Sequence, residues 1–133
     1  MTVVMAAALS SGAQAAQPDQ KVGTNEAARL VQGALRAKRP PHSLVASHVE
    51  NPYDREFIYF YVYGAKPKDP GASPHLGNYA VNPWTGEVYD SDNCTVLRSS
   101  WLTKHREQIR KRFGFTTSEY EELRRKRPVC SVD

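Results

Sequence analysis

The chain has 133 residues, a formal net charge of +4, 10% aromatic residues and two cysteines, enough sequence for one hydrophobic core and too little for two. The charge is uneven: from Arg98 to Arg127 ten basic residues stand against four acidic ones, +6, which leaves −2 for the rest. A basic third of this kind meets nucleic acid, an anionic lipid or polymer, or an acidic protein, or else it solvates the outer faces of helices.

The N-terminus bears on that choice. Val3 to Leu9 is a short apolar run followed by Ser10-Ser11-Gly12 and Ala13-Gln14-Ala15, the pattern of a secretory signal over residues 1–15 with cleavage before Ala16. The run is too short to span a bilayer. No Lys or Arg precedes it, so the alternatives are a true start elsewhere or an Ala-rich disordered tail. Export to the periplasm would remove nucleic acid from the partners. It also favours a disulfide between Cys94 and Cys130, an even pair without CxxC spacing or a His placed to complete a zinc site. The alternative is two unrelated buried thiols.

Residues 16–23 read as a flexible leader and residues 24–133 as a single domain. Thr24 or Asn25 caps a helix in which Ala27, Leu30, Val31, Ala34 and Leu35 recur at helical spacing, and Pro40-Pro41 stops it. Ser43 to Glu50 is a strand with Val45 and Val49 on one side and Leu44, Ala46 and His48 on the other. The turn Asn51 to Asp54 is too short for a crossover, so the next strand is antiparallel to it. That strand, Phe57 to Tyr63, is bulky on both faces: Phe57, Tyr59, Tyr61 and Tyr63 point one way, and Ile58, Phe60 and Val62 the other. It belongs in the interior of a sheet, its apolar side under the first helix. Its tyrosine side faces either the basic C-terminal helices, as a second core, or a partner.

Gly64 to Pro74 is an irregular loop, long for a hairpin and either functional or mobile. Short strands at Asn78 to Val81 and Glu87 to Tyr89 flank a tight turn, Asn82 to Gly86. Asp90-Ser91-Asp92-Asn93 starts like a calcium loop but lacks its glycine, so it reads as an Asx-rich turn. Ser99 or Ser100 caps a helix to Phe113 that buries Leu102, Ile109 and Phe113, and Gly114 ends it. A capping box at Thr116 to Glu119, with Phe115 and Tyr120 as its staple, starts a last helix from Thr117 to about Lys126. The expected fold is α+β: an antiparallel meander of three to four strands, an N-terminal helix packed on it, two C-terminal helices and one disulfide.

Chemistry is sparse along this chain. No pair of its four histidines has helical metal spacing, and no GxGxxG, Walker loop or HExxH occurs. Glu50, Asp54 and Glu56 could mimic a glycosidase pair, but acids flanking a turn are far commoner than catalytic ones. The expectation is a binding protein, not an enzyme, with no catalytic residue, metal or cofactor. Tyrosine, tryptophan and arginine dominate interface hot spots, which nominates Tyr59, Tyr61, Tyr63, Lys66, Lys68, Trp84, Arg106 and Arg110 as partner-binding residues. Trp84 is expected exposed on its tight turn.

A helix followed by a meander ending in Asn78-Tyr79-Ala80-Val81-Asn82-Pro83-Trp84-Thr85-Gly86-Glu87-Val88-Tyr89-Asp90 resembles the PepSY-type module of exported bacterial proteins, in which the sheet likewise closes on a T-G-E/D-V turn. The resemblance covers Ala27 to Asp90 and ends before the two basic helices. In format the chain is also similar to small periplasmic immunity proteins, which cap wall-degrading toxins delivered by neighbouring cells. That likeness implies a protein partner, a delivered or secreted wall-degrading hydrolase whose active site is occluded, and it transfers no functional residues. The alternative is an envelope-binding module that holds anionic lipid or wall polymer through Arg106, Arg110, Arg112, Arg124 and Arg125. A homodimer stays open.

Overall fold

A strand that is bulky on both faces needs cover on both, and the fold supplies it unequally. The computed structural model describes residues 18–36, 44–64 and 75–130. The expected signal over residues 1–15, the loop residues 65–74 with Lys66 and Lys68, and the Pro40-Pro41 stop lie outside them. In chain order the elements are α1 (Thr24–Arg36), β1 (Leu44–Val49), β2 (Ile58–Gly64), β3 (His75–Val81), β4 (Val88–Asp90), β5 (Thr95–Val96), α2 (Ser100–Phe113) and α3 (Thr117–Arg124). The strands form one sheet in the order β1-β2-β3-β4-β5, antiparallel throughout. The α+β meander is therefore present, one strand longer than the residues suggested. β5 has only two residues, too few to carry an alternation pattern.

Ile58, Phe60 and Val62 lie on the face that α1 covers with Ala27, Leu30, Val31, Ala34 and Leu35. The apolar stripe of this helix is its reason for docking there, since each fully buried Leu, Ile or Val contributes about 2 kcal/mol. α2 joins it on the same face, adding Leu102 and Ile109 to the core. The helices approach closely because Gly33 has no side chain: a Cβ there would lie 2.1 Å from Cη2 of Trp101. This arrangement corrects the expectation that the basic helices could cover the tyrosine row, because α2 shares the opposite face with α1.

The local signals at the ends of the C-terminal helices act as expected. The Ser99 hydroxyl accepts a hydrogen bond from Leu102 N, and Gly114 ends α2 at φ 73°. Thr116 and Glu119 make the reciprocal capping box of α3. That helix closes one end of the sheet, where Phe115, Tyr120 and Leu123 pack on Trp84.

The turn that carries Trp84 is inside the protein. Asn82 Oδ1 accepts from the amides of Trp84 (3.0 Å) and Thr85 (3.2 Å), and its Nδ2 donates to Leu123 O (3.0 Å). The Tyr120 hydroxyl donates to Thr85 O at 3.0 Å. Trp84 Nε1 donates to Pro18 O at 3.0 Å, and Val22 N to Pro83 O at 2.8 Å. Trp84 is only 1% exposed, so its expected role as a surface residue is corrected: α3 and the segment 18–22 enclose the turn. Val22 is buried in the main core, which corrects the reading of residues 16–23 as a flexible leader for the part described.

Candidate partner-binding face

Period-two alternation fixes what lies on the other side of the sheet. The register pairs Tyr59, Tyr61 and Tyr63 of β2 with Val49, Ser47 and Val45 of β1. Across β3 the partners of Tyr59 and Tyr61 are Ala80 and Asn78, and a shift between Val62 and Tyr63 brings His75 opposite Tyr63. Gly77, at φ 146°, takes the backbone through that irregularity.

Half of this face is covered, by the chain's own tail. The Cys94–Cys130 disulfide, with Cα atoms 5.5 Å apart, ties residue 130 to the turn before β5. Val129 N donates to the Tyr59 hydroxyl at 2.8 Å, and that hydroxyl donates to Asp54 Oδ2. Arg127 donates to the Tyr89 hydroxyl at 3.0 Å, and Lys126 pairs with Glu56 at 3.5 Å. Residues 126–130 thus form a strap over Tyr89 and Tyr59, beneath which Phe57, Tyr59, Ala80 and Tyr89 make a small second core. Burial, then the hydrogen bond to Asp54, holds the Tyr59 phenol far above its ordinary value. Burial likewise raises Tyr89, with the Glu87 carboxylate adding to it.

The other half stands open. Tyr61 is 37% exposed and stacks on His75 with ring centroids 4.2 Å apart, and Tyr63 is half-buried beside it at 5.9 Å. Where the strap ends, a groove of about 300 Å³ opens between Val49, Pro52, Tyr53, Tyr59 and Val129. Among the described residues the large hydrophobic side chains that stand exposed are Val49, Tyr53, Tyr61 and Val129. Three of them line this groove and the fourth is on the same strand face, two residues from Tyr59. Tyr53 is 84% exposed at the tip of the β1–β2 turn.

The nominated residues therefore divide. Tyr61 and Tyr63 are on the open face and Tyr59 forms a wall of the groove, whereas Trp84 is in the core and Lys66 and Lys68 lie outside the described residues. Arg106 and Arg110 are on the helical side, each with a carboxylate: Arg106 meets Glu87 at 3.5 Å, and Arg110 Nε meets Glu107 at 3.1 Å. Arg112 pairs with Glu26 at 2.7 Å, Arg124 with Glu87 and Glu121 at 3.2 Å, and Arg125 with Glu122. Glu87 is 5% exposed between Arg106 and Arg124, so part of the basic surplus neutralises an acid at the helix–turn junction. Val49 and Val129 were not legible as site residues. Tyr53 carried no distinguishing signal, because Asn51-Pro52-Tyr53 and Asn82-Pro83-Trp84 share one pattern and only the structure separates the exposed ring from the buried one.

No group of three or more His, Cys, Asp or Glu among the described residues could hold a metal ion. No described helix is long and apolar enough to cross a membrane. The chain matches no family model and no curated protein sequence, and neither comparison supports the PepSY-type resemblance over Ala27 to Asp90. Among solved structures it is similar to a chain in the structure of a type VI secretion system effector-immunity complex from Pseudomonas protegens. That match has a TM-score of 0.60 at 18% identity and covers 80% of this chain and 89% of the other, a likeness of fold.

Proposed function

We propose that this protein is an immunity-type inhibitor that caps a toxic enzyme with the open half of its tyrosine face. The observation that carries the reading is the gathering of Val49, Tyr53, Tyr61 and Val129 on one side of a molecule whose other sheet face is sealed by two helices. Exposed apolar side chains scattered singly need no explanation, but a group of them on one face marks a surface that is covered in use. Tyrosines held in place by neighbours give large contact area for little lost entropy. The similarity of fold to a chain of an effector-immunity complex supports the same reading. The disulfide and the signal-like N-terminus agree with work in the periplasm, where a wall-degrading hydrolase is the toxin to be stopped.

The competing use of Arg106, Arg110, Arg112, Arg124 and Arg125 as an anionic-polymer surface is weakened by their ion pairs, which a phosphate or wall carboxylate would have to displace. The test is recovery of the full chain from the periplasm of its own cells after mild crosslinking. A hydrolase at near-equal stoichiometry is expected, with its activity blocked in the complex. Replacing Tyr61 by Ala should weaken that complex about 30-fold, as for a central hot spot. Recovery of wall fragments alone, or of an enzyme that stays fully active, refutes the proposal.

A further inference from the structure

The groove between the β1–β2 turn and the strap has a chemistry of its own. Its walls, Val49, Tyr59 and Val129, are apolar, and Glu50 is the charged residue that lines it. Ten of the twelve carboxylates among the described residues have partners. Glu26, Glu56, Glu87, Glu107, Glu121 and Glu122 pair with arginine or lysine. Asp54, Asp90, Asp92 and Glu119 accept hydrogen bonds from backbone amides. Asp19, near the N-terminal edge of the described residues, and Glu50 have none. A basic protein that engages nearly every other carboxylate thus leaves one exposed and unengaged at the mouth of its apolar groove.

We infer that this groove receives an arginine or lysine side chain from a protruding loop of the protein partner, with Glu50 as its counter-charge, an assignment that rests on the capping function above. The requirement is a side chain with an apolar stem and a cationic head. The stem lies against Val49, Tyr59 and Val129, and the head reaches Glu50 and the exposed ring of Tyr53 at the rim. An anionic group would meet Glu50 unfavourably, and a purely apolar one would strip water from the carboxylate without replacing it. Arg55 is the nearby cation: it lines an adjoining depression with His48, Glu50 and Asp54. Asp54 is already engaged with the Tyr59 hydroxyl and two backbone amides, so Glu50 remains the available acceptor.

Two arms test this. In the first, the oxidised full chain, isotopically labelled, is titrated with N-acetyl-arginine methylamide and with N-acetyl-norleucine methylamide. The arginine compound should shift the amides of Glu50, Tyr53 and Val129 saturably and bind at least fivefold more tightly than the norleucine compound. Glu50→Gln, at an exposed position, should abolish that difference. Equal response to both compounds, or shifts confined to α2 and α3, overturns the assignment. In the second, Glu50→Lys should weaken the complex with the recovered hydrolase at least 30-fold, mostly through slower association. If Tyr61→Ala weakens that complex and Glu50→Lys does not, the cationic anchor is wrong and the capping function stands. If the arginine compound binds at Glu50 but no protein is captured, the groove chemistry stands and the capping function falls. A dimer of the chain that Glu50→Lys abolishes assigns the groove to a second copy and overturns a different protein as its occupant.

Discussion

Replacing both Cys94 and Cys130 by alanine should cost about 4 kcal/mol. The crosslink joins residues 36 apart in sequence, and closing a loop of that length removes about 4 kcal/mol of conformational freedom from the unfolded chain. The native side adds to this, because the disulfide is the last attachment of the strap. Without it, the Val129 bond to Tyr59 and the Arg127 bond to Tyr89 must hold residues 126–130 by themselves. Against a typical total stability of about 5–15 kcal/mol, that loss is a large share. With a urea slope of about 1.5–2 kcal/mol per molar, the midpoint should fall by about 2 M or more. Amide exchange at Val129 should accelerate before the sheet amides do, since the strap opens locally at lower cost than the domain. A midpoint shift below about 0.5 M, at unchanged slope, would refute the reasoning and mean that the tail is held in place by its non-covalent contacts.

Two further outcomes follow from the buried polar groups. Tyr59, Tyr89 and Tyr120 are all held above the ordinary phenol value of 10.0, chiefly by burial, Tyr120 being pushed up to about 12. Because the folded values lie above the unfolded one, their stabilisation is complete below pH 10 and is lost as pH rises through the folded values. Stability should therefore decline from about pH 10 toward 12, with these phenolates detected in absorbance only as the protein unfolds. Smooth ionisation of all seven tyrosines with the fold intact would contradict this. Glu87→Ala, which leaves Arg106 and Arg124 facing each other without their shared carboxylate, should destabilise by about 3 kcal/mol in urea titration. The figure is at the low end for a broken buried pair because the side chains of Arg106 and Arg124 are 21% and 31% exposed and can be partly solvated. A loss under about 1 kcal/mol would mean that the cluster does not hold α3 to the turn.

Much of the fold was written in short-range patterns. The aromatic run of β2, the apolar stripe of α1 and the Thr116–Glu119 capping box each depend on neighbours within a few residues, and each appears where the residues put it. The choice of face for α2 is different in kind. Leu102 and Ile109 form an apolar line that would fit either side of the sheet, and what brings α2 to α1 is the vacancy at Gly33 that admits Trp101. Trp84 failed as a surface residue for the same reason: a turn sequence specifies backbone geometry, whereas its burial comes from Pro18, Tyr120 and Leu123, between 36 and 66 positions away. The binding face was half legible. The tyrosine row was evident, but the groove requires Val49 and Val129 to stand side by side, which follows only once Cys130 is joined to Cys94.

The buried Asn82–Gly86 turn sets an order on how the protein can be made. Turns are ordinarily the places where a chain can be cut, lengthened or given new ends, yet an insertion here would push Trp84 away from α3. The turn is also sealed from both directions along the chain, by residues 18–22 and by Tyr120 and Leu123. A nascent polypeptide emerging from the ribosome can pair the strands from β1 through β4 early, but it cannot dry the indole until Tyr120 and Leu123 of α3 have been released. Completion of the fold at this turn is thus deferred until α3 has been released, well after the strands that flank the turn.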